Sequence, residues 1–241
     1  DISACLVGSE MCIRDRFMCV KIAFANEVAD CCRCLSEDVD PWKVVRLVFE
    51  EGPTGRLLTL SHMKPGPPYS GTCLPKDGYM LLDLLRSRSA QEPLMEGAVQ
   101  SNVMRTARIV DWVVRRSGAL GVSAAGCIGI TYRPGYTDAR ESLFVALRRL
   151  LAPHGITLFG YDPAFAGANH DRFECMCRQN QELLAWEPDL TLSLADLLAR
   201  VGIVVVNRPL KSEEMACVAE WERRGGAVLD LYGACVWRTG V

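Results

Sequence analysis

The chain contains 241 residues, of which 49% are hydrophobic and 23% charged, and its formal net charge is −2. This composition is typical of a folded globular protein and excludes a disordered or fibrous chain. The small net charge argues against a broad electrostatic surface for nucleic acid. The apolar runs are shorter than the ~20 residues that a membrane-spanning helix needs. We therefore expect neither nucleic acid nor a membrane among its partners.

Cysteine is unusually frequent, with 12 residues in the chain. Disulfide frameworks occur mainly in small secreted domains, whereas a chain of this length can bury a large core. The first residues show no basic segment followed by an apolar run, as a secretory signal peptide would. We therefore expect reduced thiols and a cytoplasmic protein. The cysteines do not form the two C-x-x-C pairs typical of zinc sites, so no metal site is expected.

Residues 1–16 fit none of the patterns that follow them. They show neither the period of a strand nor that of a helix, and the sequence does not begin with Met. The string resembles translated sequencing-adapter read-through. We therefore expect a non-native leader, natural sequence from about Phe17, and a chain that is the C-terminal part of a longer protein. A disordered natural terminus is the alternative.

Helical patterns predominate in residues 17–117. Apolar side chains recur at the spacing of one helix face, at Val20, Phe24, Val28 and the pair Cys31/Cys32. Asp40 and Pro41 have the residue types of an N-cap and a first helical position. The predicted helices span about residues 17–35, 42–49, 79–87 and 92–116, and a proline-rich loop spans residues 52–71.

After Gly118 the pattern alternates between strands and helices. Short apolar runs predict strands at about residues 124–132, 156–162, 203–207 and 227–231. Helices are predicted at about residues 140–151, 170–184, 194–201 and 212–223. Strands alternating with helices predict a doubly wound parallel sheet. We therefore expect an α/β protein with an all-helical central domain over residues 17–117 and a Rossmann-like domain over residues 118–241.

The loop before the third predicted helix carries the strongest chemical signal. Gly66 and Gly71 allow the backbone to approach a bound group closely. Cys73 lies between this loop and the next helix, and helix N-termini favour the thiolate, the nucleophilic form of cysteine. Lys76 adds positive charge and Asp77 could orient or activate water, so the segment suits covalent catalysis at a carbonyl. A buried, inert thiol is the alternative.

A second signal lies at the end of the first predicted strand. Residues 129–142 run from a strand end through a turn to a helix start, and open α/β sheets bind ligands at the carboxyl ends of their strands. Arg133 and Arg140 could pair with phosphate groups there. A surface ion pair of Arg140 with Asp138 or Glu141 is the alternative.

These two segments resemble those of the UDP-glucose/GDP-mannose dehydrogenase family. Residues 65–77 are similar to its active-site segment P-G-x-x-x-G-S-C-L-P-K-D, and residues 129–142 to its segment A-F-K-P-G-T-D-D-x-R-E-S. The string VKIAFANEVAD resembles the family's central helix, and YDP at residues 161–163 resembles the end of its second C-terminal strand. The features most similar to the GDP-mannose branch are residues 61–66, residues 170–184 and Asn207.

The resemblance implies an NAD-dependent nucleotide-sugar 6-dehydrogenase of polysaccharide biosynthesis, which oxidises the sugar C6 alcohol twice, with GDP-mannose to GDP-mannuronate as the favoured case. Cys73 would form a thiohemiacetal and then a thioester, and Asp77 would position or deprotonate the hydrolytic water. Lys76 and Arg140 would contact NAD, and the central helices would pair two subunits in a homodimer. The residues implied in substrate binding are Lys64, Tyr69, Ser70, Gly71, Tyr132 and Arg133.

The sequence also departs from the family's pattern. It contains no G-x-G motif, the turn that cradles the diphosphate of a dinucleotide. The family's catalytic Lys and Asn would fall at about Met11 and Asp15, while Ser70, Thr72 and Arg133 replace its Gly, Ser and Lys. We therefore expect the chain alone to be inactive. A non-catalytic nucleotide-binding or dimerisation module and a UDP-glucose 6-dehydrogenase are the alternatives.

Overall fold

The computed structural model describes residues 2–35, 39–50, 63–71, 73–87, 89, 93–132, 136, 138–164 and 189–232. The chain forms two compact units, Asp1–Arg105 and Thr106–Val241, named here the N-terminal and C-terminal units. The division falls within one long helix. The helix predicted over residues 170–184 lies outside the described residues.

The N-terminal unit is helical. Its helices are α1 (Ile2–Leu35), α2 (Pro41–Glu50), α3 (Cys73–Ser87) and the first part of α4 (Pro93–Leu120). Helix α1 begins well before Phe17, the residue at which the helical periodicity becomes clear. Helix α3 begins at Cys73 rather than near Tyr79. Pro75 does not prevent this earlier start, because it lies in the first turn, where a backbone N–H has no acceptor within the helix.

Small side chains line the face of α1 that packs inward. The buried apolar positions are Cys19, Ala23, Ala25, Ala29 and Cys32. Cys19 forms a core cluster with Tyr69, Leu82 and Met95. Of the apolar face predicted for this helix, Cys32 is buried and Val20 packs against that cluster, whereas Phe24 and Cys31 are exposed, so the unit buries only part of that face. Both sides of α1 carry apolar residues, and periodicity alone does not rank two such sides.

Asp40 caps helix α2 as the sequence predicts. Its Oδ1 accepts hydrogen bonds from the backbone N–H groups of Trp42 at 2.9 Å and Lys43 at 3.4 Å. Pro41 is the first helical residue, where the absence of an N–H has no cost. The predicted cap and start of this helix are therefore confirmed.

The C-terminal unit is built on a five-stranded parallel sheet. The strands are β1 (Ala124–Ile128), β2 (Thr157–Tyr161), β3 (Leu190–Thr191), β4 (Ile203–Val206) and β5 (Ala227–Asp230). Their order is β3-β2-β1-β4-β5, and every neighbouring pair is parallel. Chain order reverses between β1 and β4, so the crevice outside the carboxyl ends of these strands is a topological switch point. Besides the second part of α4, the described residues of this unit form helices α5 (Leu143–Leu151), α6 (Leu194–Arg200) and α7 (Ser212–Arg223).

Hydrophobic layers cover both faces of the sheet. One layer includes Ile109 of α4 and Phe144 of α5, packed with inward-facing residues of the strands. The other includes Leu197 of α6 and Val218 of α7. This doubly wound α/β arrangement confirms the predicted fold class. The strand β3 was not predicted, because two residues are too few to produce a periodic pattern.

Gly160 on β2 occupies a position where no side chain fits. A Cβ atom there would lie 2.7 Å from Leu190 Cδ2 and 2.9 Å from Phe144 Cε2. We expect Gly160→Ala to lower the free energy of unfolding of the C-terminal unit by about 1–3 kcal/mol, the usual cost of overpacking. Urea denaturation followed by circular dichroism measures this change.

Gly118→Ala is the matched control, because nothing lies within 4 Å of a Cβ atom built at this helical position. Helix propensity favours alanine over glycine by up to about 1 kcal/mol. Equal denaturation midpoints for the two variants would contradict the packing argument.

Candidate active site

Cys73 is the first residue of α3, and its side chain is exposed. The Cys19 thiol donates a hydrogen bond to the Leu74 carbonyl at 3.7 Å, which links the first turn of this helix to α1. Reactive cysteines are found in this kind of environment, at least partly exposed and at a helix N-terminus. Cys127 provides the contrast, since it is fully buried and burial raises the pKa of its thiol.

Asp77 and Lys76 lie one turn further along α3. Asp77 is four residues from Cys73, so the two side chains project from the same side of the helix. Lys76 Nζ lies 3.7 Å from Asp77 Oδ1, with the lysine side chain 65% and the aspartate side chain 17% exposed. The start of α3 therefore presents a thiol, a carboxylate and an ammonium group within a single helical turn.

Residues 63–71, named here the active-site loop, have no regular secondary structure and are held by side chains of α1 and α4. The Gly66 N–H donates to Asn26 Oδ1 at 2.8 Å, and Asn26 Nδ2 donates to the Pro67 carbonyl at 3.2 Å. Arg105 Nε and Nη2 donate to the Gly66 carbonyl at 3.2 and 2.9 Å. Both backbone groups of Gly66 are therefore fixed.

Asn102 holds the loop closer to Cys73. Its Oδ1 accepts the Tyr69 N–H at 2.8 Å and its Nδ2 donates to the Tyr69 carbonyl at 3.0 Å, as a neighbouring strand would. The Tyr69 ring lies in the core of the N-terminal unit, hydrogen-bonded to Cys19, and burial raises its pKa. Burial likewise raises the pKa of Cys19, to about 12. Neither group ionises near neutral pH.

The other predicted loop residues differ in exposure. Lys64 is exposed, Ser70 is half-buried and Gly71 is buried. Gly71 has a φ of +88°, a left-handed conformation that glycine adopts without steric cost. This turn leads the loop toward the start of α3. Thr72, which stands where the family segment has Ser, lies outside the described residues.

The clamp residues Asn26, Asp30, Asn102 and Arg105 were not predicted. They lie in helical stretches where a polar residue is expected to face solvent, yet Asn26 is 3% and Arg105 1% exposed. The Arg105 charge is balanced by Asp30, with Nη1 and Oδ1 2.7 Å apart. A signal existed in the spacing, because residues 26 and 30, and residues 102 and 105, each share one helix face.

The second predicted segment begins at the carboxyl end of β1. Gly129 has a φ of +106°, and a Cβ atom there would lie 3.2 Å from the Asn207 carbonyl oxygen. Asn207 Nδ2 donates to the Gly129 carbonyl at 3.1 Å, and its backbone N–H to the Ile128 carbonyl at 2.8 Å. Asp162 Oδ2 accepts the Ile130 N–H at 3.0 Å. These bonds join the ends of β1, β2 and β4 at the switch point.

The candidate ligand residues beyond this point are only partly described. Tyr132 is half-buried, with its ring 5.8 Å from that of Tyr136, whereas Arg133 lies outside the described residues. Arg140 is exposed and pairs with Asp138, through Nε–Oδ1 and Nη2–Oδ2 distances of 3.0 and 2.8 Å. These hydrogen bonds hold the pKa of Asp138 below its usual range. Of the alternatives for Arg140, the structure shows the ion pair with Asp138.

The described part of the chain contains no candidate metal site, membrane-spanning helix or disulfide bond. Its His, Cys, Asp and Glu side chains include no group of three or more that could hold a metal ion. None of its helices combines the length and apolar character needed to cross a bilayer. Cys19, Cys32, Cys73 and Cys127 form no disulfide bonds among the described residues.

The model of the UDP-glucose/GDP-mannose dehydrogenase family, central domain, matches residues 11–104 of the chain. The match contains Cys73, Asp77 and the whole active-site loop. It begins at residue 11, inside the segment that we expect to be non-native.

Relatives of known activity are similar over much of the chain. The GDP-mannose 6-dehydrogenase of Pseudomonas savastanoi pv. phaseolicola is 27% identical over 220 residues, which cover 88% of this chain and 46% of that protein. The UDP-glucose 6-dehydrogenase of Rhizobium meliloti (strain 1021) is 30% identical over 148 residues, which cover 61% of this chain and 32% of that protein. The chain thus spans less than half the length of these relatives.

Solved structures share the fold. A UDP-glucose dehydrogenase from Pyrobaculum islandicum matches with a TM-score of 0.69 and 20% identity, over 95% of this chain and 48% of that one. A GDP-mannose dehydrogenase from Pseudomonas aeruginosa matches with a TM-score of 0.58 and 22% identity, over 89% of this chain and 47% of that one. These structures show the shared fold, whereas the match of the central-domain model to residues 11–104 and the sequence relatives support membership of the UDP-glucose/GDP-mannose dehydrogenase family.

Proposed function

We propose that this chain is the thiol-bearing part of an NAD-dependent nucleotide-sugar 6-dehydrogenase that oxidises GDP-mannose to GDP-mannuronate. The observation that carries the proposal is the exposed Cys73 thiol at the start of α3, one turn from Asp77 and directly after the clamped loop. A thiol so placed suits addition to a carbonyl carbon. A thiol nucleophile has to remain reduced, so we place the enzyme in the cytoplasm.

Cys73 supplies the covalent step. Its thiolate adds to the C6 aldehyde carbon, forming the C–S bond of a thiohemiacetal, and the former carbonyl oxygen takes a proton. Once this species has been oxidised to the thioester, water attacks the thioester carbon. The C–S bond breaks, the sugar leaves as the carboxylic acid, and the thiol is restored.

Asp77 serves the hydrolytic step. Its carboxylate can accept a proton from the attacking water and return one to the departing sulfur, which is the role of a general base and then a general acid. Its side chain is 17% exposed, so the carboxylate is shielded but still reaches solvent. Lys76 beside it supplies a counter-charge.

NAD supplies the hydride acceptor for the two oxidations when it is bound. The G-x-G turn that would cradle its diphosphate does not occur in this sequence, so these residues do not form a complete dinucleotide site. The chain offers the cations of Lys76 and Arg140 for phosphate contacts, both on exposed side chains. We therefore assign to this chain the covalent and hydrolytic steps and no part of the hydride transfer.

The predicted substrate contacts divide by their exposure. We propose that Lys64 and Ser70 contact the sugar and its phosphate with their side chains, because both reach solvent. Gly71 would contribute backbone groups. The Tyr69 ring is in the core and its N–H is bonded to Asn102, so Tyr69 would contribute the second lone pair of its carbonyl oxygen. Tyr132 and Arg133 are proposed to contact the nucleotide.

GDP-mannose is favoured over UDP-glucose by the extent of similarity. The similarity to the GDP-mannose 6-dehydrogenase of P. savastanoi covers 88% of this chain. The similarity to the UDP-glucose 6-dehydrogenase of R. meliloti covers 61%. UDP-glucose oxidation and a non-catalytic nucleotide-binding module remain the alternative proposals.

We also propose that α1 pairs with a second copy of the chain. The face of α1 that the N-terminal unit leaves open carries Phe17, Phe24 and Leu35, which are 57%, 47% and 82% exposed. Spacings of seven and eleven residues place these side chains along one stripe of a helix. Soluble proteins rarely leave such a stripe in water, so a helix–helix interface accounts for it.

Replacement of the nucleophile tests the proposed chemistry. In the protein made from the complete gene, we expect Cys73→Ser to lower the formation of GDP-mannuronate by at least about a thousandfold, because the serine hydroxyl cannot form the thioester. The rate of carboxylate production from GDP-mannose and NAD measures it. Cys217→Ser, which removes another exposed thiol, is the control and should leave the rate unchanged.

Full carboxylate production by Cys73→Ser would exclude Cys73 as the nucleophile. The same assay run with UDP-glucose identifies the substrate, and a faster reaction with UDP-glucose would replace GDP-mannose in the proposal. Nucleotide binding without turnover of either sugar would support the non-catalytic module.

Alkylation separates the exposed thiol from the buried one in the chain itself. The thiolate is the reactive form, and a raised pKa keeps the thiolate fraction small until the pH approaches that pKa. Because burial raises the pKa of Cys19 to about 12, we expect iodoacetamide at about pH 8 to modify Cys73 and spare Cys19. Peptide mass spectrometry of the folded chain measures both. Equal rates at the two thiols would show that Cys19 is not buried as described.

The dimer proposal predicts that charge on the open face of α1 weakens self-association. We expect Phe24→Glu to raise the dimer dissociation constant by at least about tenfold, because a buried carboxylate lacks a partner there. Light scattering after size-exclusion chromatography measures the mass. Tyr79→Glu changes an equally exposed aromatic residue on α3 and is the control. An unchanged mass for Phe24→Glu would place the interface elsewhere.

A further inference from the structure

We propose that Arg105, balanced by Asp30, is a positioning residue that sets the conformation of the active-site loop and through it the placement of Cys73. The consequence for catalysis rests on the proposed function, whereas the effect on the loop does not. Both residues belong to the N-terminal unit, on α4 and α1, and neither lies on α3 with the thiol.

The composition of the loop makes such a residue necessary. Residues 65–68 are Pro-Gly-Pro-Pro, and proline has no backbone N–H, so Gly66 carries the one backbone donor of the stretch. Asn26 Oδ1 accepts a hydrogen bond from this N–H, with an N–O distance of 2.8 Å. A segment with a single donor can make few strand or helix hydrogen bonds, so its carbonyl groups need other partners, and side chains hold those of Gly66 and Pro67.

Arg105 holds the carbonyl of that same residue. Its Nε and Nη2 both donate to the Gly66 oxygen, and its Nη1 donates to Asp30 Oδ1 at 2.7 Å. The planar guanidinium thus fixes two acceptors in a defined relative orientation, which a flexible ammonium group does less well. Asn26 and Asp30 are four residues apart on α1, so the fork of Arg105 closes on one face of that helix.

The ion pair points to positioning rather than to stability. A buried ion pair contributes little net stability, because desolvation offsets much of its Coulomb attraction. Geometry is what this pair supplies, since Arg105 is 1% exposed and cannot reorient without losing its bonds. From Gly66 the chain passes through Tyr69, held by Asn102, and the left-handed turn at Gly71 before it reaches Cys73. A shift at Gly66 is therefore transmitted to the thiol.

The test compares Arg105→Gln, Arg105→Lys and Asp30→Asn in the folded chain. We expect Arg105→Gln to speed hydrogen–deuterium exchange of peptides from residues 63–71 by about tenfold, as expected for loss of a charge-assisted hydrogen bond. The iodoacetamide rate at Cys73 should change by at least about threefold relative to Cys217, an exposed thiol of the C-terminal unit. Arg105→Lys, which keeps the charge but loses the planar fork, should recover only part of the exchange protection.

Arg108→Gln is the matched control, because Arg108 is an exposed arginine one turn further along α4. A folded Arg105→Gln chain with unchanged loop exchange and Cys73 reactivity would overturn the proposal. Equal acceleration of exchange throughout the N-terminal unit would show a role in stability alone and would also overturn it.

If Arg105→Gln does not fold, Asp30→Asn decides, since it keeps the arginine donors and removes only the counter-charge. Selective acceleration in the loop supports the proposal, and unchanged exchange opposes it. These readouts need no substrate, so they stay valid if Cys73→Ser retains turnover and the proposed function fails.

Discussion

The one backbone donor between Pro65 and Pro68 is the constraint on which the candidate site depends. A proline-rich loop gains a defined shape only if side chains replace the missing backbone hydrogen bonds, and here Asn26 and Arg105 do so at Gly66. The helix that presents the thiol begins seven residues later in the sequence, so the position of its first residue depends on the conformation of the loop. Helices α1 and α4 thus support the candidate active site, through Asn26 and Arg105.

The α/β half could be predicted from sequence because one rule governs it. Strands buried on both faces must be continuous apolar runs, and the helices between them cover the sheet. The prediction overshot at β1, which ends at Ile128 rather than Tyr132. Gly129 turns the chain there, and Asn207, 78 residues away in sequence, bonds to its carbonyl. A contact so distant leaves no local pattern, so the length of the run alone misplaces the end.

The helical half shows what periodicity cannot resolve. The apolar pattern predicted for α1 is only partly the face that the unit buries, because most of the buried side chains are small residues beside it. If α1 also pairs with a second copy, the sequence records two interfaces at once. The candidate site likewise has a part that the sequence predicts and a part that it does not. Cys73, Lys76 and Asp77 are neighbours in sequence, so a local motif identifies them. The clamp joins residues 39 and 75 positions apart, which only the fold reveals.

Two arginines near the switch point differ in what they can offer a phosphate group. Arg140 pairs with Asp138 at 62% exposure, so water screens the pair and exchanging the carboxylate for a phosphate costs little. Arg208 is 6% exposed, pairs with Glu214 at 2.9 Å and lies 6.0 Å from the Tyr161 ring. Separating that pair would leave a buried charge uncompensated. Arg140 can therefore serve a ligand, whereas Arg208 joins the end of β4 to α7.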